Sequence, residues 1–595
     1  MTHPKIIVVG GGLAGLMATI RVAESGVPVD LFSIVPVKRS HSVCAQGGIN
    51  AAKNLKGEGD STWKHFDDTI YGGDFLANQP LVKGMCDAAP AIIDLLDRMG
   101  VMFNRTPEGL LDFRRFGGTL FNRTAFAGAT TGQQLLYALD EQVRRFESED
   151  KVKKFEGWTF LSVVLDDDGV CRGICVMNLK TMEIRTFPCD AAIFCTGGIG
   201  AVFGRSTNSV VCTGSAQSAL FQQGVYYANG EFIQVHPTAI PGEDKCRLMS
   251  ESARGEGGRV WVPKQAGDTR RGKDIPEGER FYFLEEWYPK YGNLVPRDVA
   301  TRAIHKIVFE MKMGLVGEPA VYLDVTHIPR EVLDRKLEGI LEIYEKFVGV
   351  DPHVEPMKVF PAMHYTMGGL WVDNQNQATN VPGIYAAGEC DYQYHGANRL
   401  GANSLVSCIY GGMLAGPAAV KYSRGLESGC DSVAPAIFER ERVRQQDITD
   451  ALLNQHKGTE NPVTIWREMG DIMTENVTVI RYNANLEKTL VKLDELSERF
   501  TRINLQDRTQ WANQTLNFVR ELGNMLILAK VITLGALARN ETRGAHYKPE
   551  FPERDDANWL KTTKASYNGG KIALEYEAVD ISLLPLRERK YTAKA

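Results

Sequence analysis

The segment KIIVVGGGLAG, residues 5–15, joins a short apolar run to a glycine-rich turn with the pattern GxGxxG. The next residues, 16–26, have the composition of a helix, and a second apolar run follows at 27–34. This order is typical of a βαβ dinucleotide-binding unit, because the glycines permit a tight turn and the helix N-terminus attracts a pyrophosphate. The segment therefore predicts an α/β fold built on a Rossmann-like domain.

The second strand of such a unit usually ends in an acidic residue that binds a ribose. Here that place falls near Ser33, whereas Asp30 lies too early in the strand. A serine hydroxyl can still hydrogen-bond a ribose, but NAD becomes the less persuasive ligand. The candidate cofactor-binding residues of the unit are Ser33 and the turn residues Gly10, Gly11, Gly12, Leu13, Ala14 and Gly15.

A basic loop with a histidine follows the second strand, in VPVKRSHSVCAQGGINAA, residues 35–52. We interpret this loop as part of the cofactor site and not only as a connector, because a basic loop with a histidine and paired glycines follows the second strand of the predicted dinucleotide-binding unit. Its candidate cofactor contacts are Arg39, Ser40, His41, Ser42, Gly47 and Gly48.

Two later strand–glycine segments, AAIFCTGGIG and GIYAAGEC, indicate that the chain returns to one sheet after long excursions. Leucines at helical spacing after residue 435 predict packed helices, and the Pro- and aromatic-rich tail predicts irregular structure. The predicted domains are a discontinuous nucleotide-binding domain, an inserted capping domain, a helical domain and an irregular C-terminal domain. They cover, in that order, residues 1–235 with 353–434, residues 236–352, residues 435–539 and residues 540–595.

Composition narrows the classes of function. The chain of 595 residues has a net charge of −5 and no basic block, which disfavours nucleic acid as a partner. Its 11 cysteines form no CxxC pair, so we expect reduced thiols and no metal site. The chain begins at its first strand, which leaves no room for a signal peptide, and the apolar run at 525–538 is expected to be a buried helix too short to span a bilayer.

Long motifs give the sequence a family resemblance. In order they are GGGLAG, KRSHSVCAQGGINAA, GEFIQVHPTAI, SESARGEGG, VPRDVATR, FPAMHYTMGGL, YAAGEC, HGANRLGANSL and RGAHYKPEFPERDDANWL. Together they resemble the flavoprotein subunit of succinate dehydrogenase and quinol:fumarate reductase, and the resemblance covers essentially the whole chain. It implies that the nucleotide-binding domain binds FAD.

The resemblance also implies how FAD is held. His41 matches the histidine joined covalently to the 8α-methyl of FAD, and such attachment is expected to raise the flavin potential. Glu389 resembles the ribityl-binding glutamate, and Ser404 and Leu405 begin a helix whose positive end would face the reduced flavin. Many members carry TGD where this chain has TGSA, so Ser215 occupies an altered adenosine-side position.

The substrate residues come from separate motifs. Oxidising succinate requires two carboxylates to be held, a hydride acceptor near one carbon and a proton acceptor near the next. By resemblance Arg399 and His364 bind one carboxylate, His236 and Ser250 bind the other, and Phe116 walls the substrate. An arginine suits this role because its fork pairs bidentately with a carboxylate.

The proton-transferring residue implied by the resemblance is Arg297. An arginine can act this way only transiently, in a dry site with a relay behind it. Glu251 and Arg254, three residues apart and so on one helical face, resemble that relay. Succinate oxidation and fumarate reduction would use the same residues, so the sequence predicts the interconversion and not its direction.

One sequence feature argues against each competing function. L-aspartate oxidase shares the fold but lacks the RSH histidine, so His41 discriminates against it. A soluble single-chain fumarate reductase would need an internal electron carrier such as a CxxCH heme site, and a flavin-binding tRNA-modification scaffold would need a basic face. The resemblance therefore implies an iron–sulfur partner and a cytochrome b membrane anchor, with this chain peripheral on the cytoplasmic face of a bacterial membrane.

Overall fold

The computed structural model describes residues 4–242, 245–455 and 457–591. In chain order its first strands are β1 (Ile6–Val9), β2 (Val29–Ser33), β3 (Ile49–Asn50), β4 (Phe113–Arg114), β5 (Thr124–Ala125), β6 (Val152–Glu156), β7 (Trp158–Leu165), β8 (Cys171–Asn178), β9 (Ile184–Pro188), β10 (Ala191–Phe194) and β11 (Tyr227–Ala228). The later strands are β12 (Ile233–Ile240), β13 (Arg247–Leu248), β14 (Arg259–Pro263), β15 (Arg280–Phe281), β16 (Val321–Asp324), β17 (Met357–Thr366), β18 (Gly369–Leu370), β19 (Ile384–Ala386), β20 (Lys561–Asn568) and β21 (Lys571–Ala578).

The helices lie between and after these strands. They are α1 (Leu13–Glu24), α2 (Thr62–Gly72), α3 (Gln79–Arg98), α4 (Thr131–Ser148), α5 (Ser215–Gln222), α6 (Ser252–Gly255), α7 (Phe283–Trp287), α8 (Arg297–His305), α9 (Arg330–Lys336), α10 (Glu338–Val348), α11 (Asn403–Gly425), α12 (Pro435–Leu453), α13 (Pro462–Val477), α14 (Asn483–Phe500), α15 (Gln514–Ala538) and α16 (Asp556–Trp559).

A parallel sheet in the order β19-β10-β1-β2-β6 forms the centre of the nucleotide-binding region. The predicted strand–turn–helix unit is confirmed, because the glycine turn connects β1 to α1. The two later strand–glycine segments supply β10 and β19 of the same sheet. The loops that leave the carboxyl ends of these strands therefore meet at one edge, where such sheets bind ligands.

Helix α11 lies unusually close to α1 on one face of this sheet. A Cβ atom on Gly412 would lie 2.5 Å from the carbonyl oxygen of Ala14, and one on Gly416 would lie 2.8 Å from the Cβ of Arg21. Only glycine permits this approach. The contact fixes the N-terminus of α11 beside the glycine turn at the N-terminus of α1.

A second sheet, in the order β13-β12-β17-β16-β14-β15, carries the predicted substrate histidines. His236 lies on β12 and His364 on β17, and the two strands pair in antiparallel register with His236 opposite Ala362. The predicted domain boundary between residues 235 and 236 falls inside β12, between two irregularities in the pairing of this strand with β17. The division into four domains stays a prediction, with this boundary better placed before β12.

The helical region follows the predicted spacing. In α14 the side chains of Leu486, Leu493 and Leu496 are buried. One helix of the described residues, α15, is long and apolar enough to cross a membrane by length and composition, and 61% of its most apolar window is buried inside the protein. The predicted length of this helix was wrong, because residues from Gln514 onward extend it beyond the apolar run at 525–538. Its predicted burial is confirmed.

The prediction of an entirely irregular C-terminal domain was also wrong. After α16, strands β20 and β21 form a regular antiparallel hairpin that joins β11 and β18. Most side chains of β21 face solvent. The hairpin could still have been predicted, because Ile572, Leu574 and Tyr576 alternate with more polar residues after an Asn-Gly-Gly turn at 568–570.

Candidate active site

A cavity of about 590 Å³ runs from the carboxyl ends of the parallel strands to the antiparallel sheet. It brings together most of the predicted site residues. Those that line it are Gly10, Gly11, Gly12, Leu13, Ala14, Ser33, Ser40, His41, Ser42, Gly47, Gly48, Phe116, Ser215, His236, Ser250, Glu251, Arg297, His364, Glu389, Arg399, Ser404 and Leu405. Gly15, Arg39 and Arg254 are predicted site residues outside this lining.

The glycine turn is shaped by close backbone contacts. Gly10 has φ +117°, and a Cβ there would lie 2.1 Å from the carbonyl oxygen of Cys195. A Cβ on Gly15 would lie 1.8 Å from the carbonyl oxygen of Gly10, so Gly15 acts in packing the helix on the turn. The N-terminus of α1 thus points into the cavity, where the Leu13 N–H donates to Ser42 Oγ over 3.3 Å and the positive end of the helix can attract an anion.

The histidine loop forms two short 3₁₀ turns, Val37–Arg39 and His41–Cys44. The backbone N–H of Ser209 donates to His41 Nδ1 over 3.2 Å, and Asn208 Nδ2 lies 3.2 Å from His41 Nε2. Burial, helped by the charge of Lys245, lowers the pKa of His41 to about 4. The imidazole is therefore neutral at physiological pH.

The structure does not support the prediction that Arg39 contacts the cofactor. Its side chain is exposed, and its backbone N–H donates to the carbonyl oxygen of Pro36 over 2.7 Å. The 3₁₀ turn directs the side chain to solvent while the backbone leads to His41. Arg39 therefore does not place a positive charge in the cavity.

The paired glycines Gly47 and Gly48 let the loop pack closely against the ring of Phe116. Gly48 has φ +138°, and a Cβ on Gly47 would lie 2.8 Å from the ring of Phe116. The Phe116 side chain is 2% exposed and lines the cavity. The loop can adopt this path only because neither glycine has a side chain.

The N-terminus of α11 forms another wall. Ala402 precedes it in the left-handed region, with φ +61°, and Asn403 is held by the amide of Asn50 over 2.7 Å. Glu389 accepts a hydrogen bond from the N–H of Thr366 over 3.1 Å. Burial raises the pKa of Glu389 to about 7, against the opposing effect of that N–H.

Arg297 and Glu251 form a buried ion pair at the far end of the cavity. Arg297 donates through Nε over 3.0 Å and Nη2 over 2.7 Å to the same oxygen, Glu251 Oε2, and through Nη1 over 2.9 Å to Gln234 Oε1. Burial acts to raise the pKa of Glu251, but Arg297, Arg254 and the Gly117 N–H outweigh it and the pKa is lowered. Glu251 is therefore an ionised partner of Arg297.

Arg254 lies behind this pair. Its Nη2 is 3.6 Å from Glu251 Oε1, and its Nη1 donates to the carbonyl oxygen of Asn293 over 2.8 Å. Among the described residues, Nε and Nη2 of Arg254 have no hydrogen-bond partner. The three charged groups form one contiguous chain that leads away from the cavity.

The four predicted carboxylate-binding residues surround the space in front of Arg297. The rings of His236 and His364 have centroids 5.0 Å apart, and the Arg399 guanidinium lies 4.5 Å from the centroid of the Tyr365 ring. Ser250 is 1% exposed at the same wall. Within the described ranges, Nε2 of His236 and Nε of Arg399 are buried without a partner.

Charge favours an anion in this space. Burial, then the charge of Arg297, lowers the pKa of both histidines well below the usual range and that of Arg399 to about 9. The guanidinium groups of Arg297 and Arg399 thus face this space together with the carboxylate of Glu251. An incoming dicarboxylate would supply the missing negative charge and accept from the unpaired donors.

Helix α8, which begins with Arg297, is held from the opposite side by the C-terminal segment. Arg589 donates to both carboxylate oxygens of Asp298, over 2.6 and 3.0 Å. Burial opposes ionisation of Asp298, but the charges of Arg589 and Arg302 dominate and lower its pKa to about 2. Residues next to the chain end therefore fix the element that carries Arg297.

Four residues of the site were missed in the sequence. Gln234 holds Arg297, Thr207 Oγ1 lies 2.6 Å from His364 Nδ1, and Asn208 and Lys245 surround His41. Gln234 precedes His236 by two positions on one strand, and that spacing places side chains on the same face, so it could have been found. Thr207 and Asn208 carry no such local signal.

Comparisons with known proteins match nearly the whole chain. A family described as FAD binding domain matches residues 5–405, and one described as Fumarate reductase flavoprotein C-term matches residues 466–591. The succinate dehydrogenase flavoprotein subunit of Bacillus subtilis (strain 168) is 63% identical over 596 residues, covering 100% of this chain and 99% of that protein.

Two solved structures agree with this similarity. A mutant E. coli quinol fumarate reductase superposes with a TM-score of 0.91 at 34% identity, covering 100% of this chain and 99% of that one. A quinol-fumarate reductase with menaquinol molecules gives a TM-score of 0.90 at 34% identity, covering 99% of this chain and 100% of that one.

Proposed function

This chain belongs to the family of flavoprotein subunits of succinate dehydrogenase and fumarate reductase, which are FAD-dependent oxidoreductases, and on that premise we propose how its residues interconvert succinate and fumarate. The observation that carries the proposal is the Arg297–Glu251 pair, which opens on the same cavity as the glycine turn. One space thus holds a cofactor site and a proton-transfer site side by side.

The cavity fits FAD. Its tight glycine turn exists only because a Cβ on Gly10 or Gly15 would clash with a carbonyl oxygen, and the N-termini of α1 and α11 both face the cavity. The turn at α1 would hold the pyrophosphate, Glu389 would accept from the ribityl chain, and Ser404 and Leu405 would lie at the pyrimidine edge of the flavin. When bound, FAD supplies the acceptor for a hydride.

We propose that His41 is the covalent attachment point. Its Nδ1 accepts from the Ser209 N–H and its Nε2 lies 3.2 Å from Asn208 Nδ2, so attachment of the flavin through Nε2 would replace the Asn208 contact. The low pKa of His41 keeps the imidazole neutral; because Nδ1 accepts a hydrogen bond, the ring proton lies on Nε2 and would have to leave as the bond to the flavin forms. The covalent bond distinguishes this assignment from L-aspartate oxidase, the competing function that shares the fold.

The dicarboxylate would be held between two sets of donors. Arg399 and His364 would bind one carboxylate, while His236 and Ser250 would bind the other, with Phe116 closing the side. Thr207 fixes the ring of His364 through Nδ1, so its Nε2 is the nitrogen free to face the substrate. Burial excludes water, which strengthens each of these contacts.

Arg297 would transfer the proton at the substrate methylene. The two hydrogen bonds to Glu251 Oε2 and the one to Gln234 fix its guanidinium, so a proton leaving it is replaced through Glu251. Arg254 continues this chain away from the cavity. The same residues serve both directions of the reaction.

The experiment that tests substrate binding uses Arg399→Gln. Because this variant removes charged hydrogen bonds to one carboxylate, malonate is expected to bind about ten- to a hundredfold more weakly. Malonate binding is measured by the change in flavin absorbance. Arg205→Gln is the matched control, since Arg205 is exposed and lies outside the cavity. Unchanged malonate affinity in Arg399→Gln would contradict the assignment.

We also propose that the chain works with an iron–sulfur subunit and a cytochrome b membrane-anchor subunit. The relatives it resembles are named as subunits, and one similar structure is a quinol-fumarate reductase with menaquinol. Electrons must leave the flavin one at a time for the quinone pool, which requires a carrier close to it. The chain should therefore co-purify in mild detergent with an iron–sulfur protein and a heme protein, and alone it should reduce dyes but not quinone. Quinone reduction by the single chain at the rate of intact membranes would refute this.

The proposed location is the cytoplasmic face of the bacterial membrane, with attachment through those partners. Protease digestion of membrane vesicles tests it. The chain should be cleaved in inside-out vesicles and protected in right-side-out vesicles. Cleavage only in right-side-out vesicles would place it on the other face.

A further inference from the structure

Helix α15 of the helical region contributes one acidic side chain to the cavity. Glu521 is 8% exposed and lines the cavity together with Thr159, Phe160 and Ser215. It lies far along the sequence from the other acidic residues of the cavity, Glu251 and Glu389, and neither the substrate site nor the flavin contacts described above use it.

The carboxylate of Glu521 is poorly compensated. Asn517 Nδ2 donates to its Oε1 over 3.2 Å, and in the described part of the chain Glu521 forms no salt bridge. Burial raises its pKa to about 7 despite that hydrogen bond. A buried carboxylate with one weak donor is costly, and a ligand that brought further donors would relieve that cost.

Glu521 lies near the end of the cavity where the adenosine of FAD would bind. One turn along the same helix, Asn524 Nδ2 donates to Ser215 Oγ over 2.8 Å, which ties α15 to the start of α5. Ser33, at the carboxyl end of β2, marks where a Rossmann-like unit holds the adenosine ribose. Ser215 and Glu521 line the cavity together with Trp158, whose ring lies 6.4 Å from that of Phe32 beside Ser33, and this places them near the end that would hold the adenosine.

Neither usual acidic contact for an adenosine is present nearby. The second strand ends in Ser33 where an acid is common, and the resemblance implies an aspartate where this chain has Ser215. FAD offers donors at this end, namely the ribose hydroxyls and the exocyclic amino group of adenine. A carboxylate is the acceptor that suits them.

We propose that Glu521 is a cofactor-binding residue whose carboxylate accepts a hydrogen bond from the adenosine of FAD. The helical region then completes the FAD site, with α15 at its adenosine end. This inference rests on FAD occupying the cavity, which the family assignment supplies.

The test uses the full chain with His41→Ser, so that FAD binds reversibly, and measures the dissociation constants of FAD and of ADP. Adding Glu521→Ala is expected to raise both by about ten- to a hundredfold, the loss of one hydrogen bond to a charged group. Adding Glu521→Gln, which keeps the volume and one acceptor, should raise them less. Glu487→Gln is the control, because Glu487 is exposed on α14.

A second readout separates this role from a structural one. Because the carboxylate is poorly compensated without ligand, Glu521→Gln is expected to raise the thermal midpoint of the FAD-free chain while weakening FAD binding. A residue that only supported the fold would lower that midpoint. Unchanged FAD and ADP affinities in both folded variants would overturn the proposal. Failure of the His41→Ser parent to bind FAD or ADP would overturn it together with the cofactor assignment.

Discussion

Replacing Arg297 by alanine is expected to lower the turnover number for succinate by about two to four orders of magnitude, the usual contribution of a positioned acid–base group. The variant removes the group that would transfer the substrate proton and leaves Glu251 as a buried carboxylate with Arg254 as its remaining cation. Turnover is measured with an artificial dye as electron acceptor. Arg297→Lys should recover little, because a lysine cannot contact Glu251 and Gln234 in the same forked geometry.

Two comparisons make this result specific. Malonate affinity should change less in Arg297→Ala than in Arg399→Gln, because Arg297 acts mainly on the transition state. Lys306→Ala is the control, since Lys306 is exposed beyond the last residue of α8. Normal succinate turnover by folded Arg297→Ala would refute the proposed proton transfer.

Replacing His41 by serine is expected to abolish covalent flavin while FAD still binds reversibly. The glycine turn, Glu389 and the α11 N-terminus remain to hold the cofactor. Succinate oxidation should be largely lost because the potential of the unlinked flavin is lower, whereas fumarate reduction can survive. Acid precipitation followed by flavin absorbance of the pellet and supernatant measures the linkage.

The control for His41→Ser is His327→Ser, because His327 is exposed and lies outside the cavity. Its flavin should stay in the acid pellet, as in the parent protein. Flavin released entirely into the supernatant by the matured parent protein would show that no covalent bond exists. Undiminished succinate oxidation by His41→Ser would show that the bond is not needed for the potential.

The sequence predicted those parts of the fold and site that depend on local pattern. The glycine turn between β1 and α1 was predictable because backbone conformation and strand–helix order are encoded within a few residues. The catalytic and substrate residues were reached through long motifs, and the structure places them around one cavity. Their spacing alone would not have brought together His236 and Arg399.

The parts that sequence reasoning missed depend on distant contacts. Asn208 meets His41 across 167 positions, and Glu521 enters the cavity from a helix whose own periodicity only indicates packing. The β20–β21 hairpin is an exception: β21 alternates apolar and more polar residues after the Asn-Gly-Gly turn at 568–570, so its signal was local and was overlooked. Arg39 was assigned to the cofactor by its place in a basic loop, but the 3₁₀ turn directs its side chain to solvent.

The interconversion of succinate and fumarate is tested most directly by the substrate preference of the purified chain with its flavin attached. Succinate, fumarate and L-aspartate are compared at equal concentration with a dye couple, with malonate and oxaloacetate as inhibitors. We expect that succinate is oxidised and fumarate is reduced. Both inhibitors should compete with succinate because they present two carboxylates to the same donors. Oxidation of L-aspartate faster than succinate, with no competition by malonate, would contradict it.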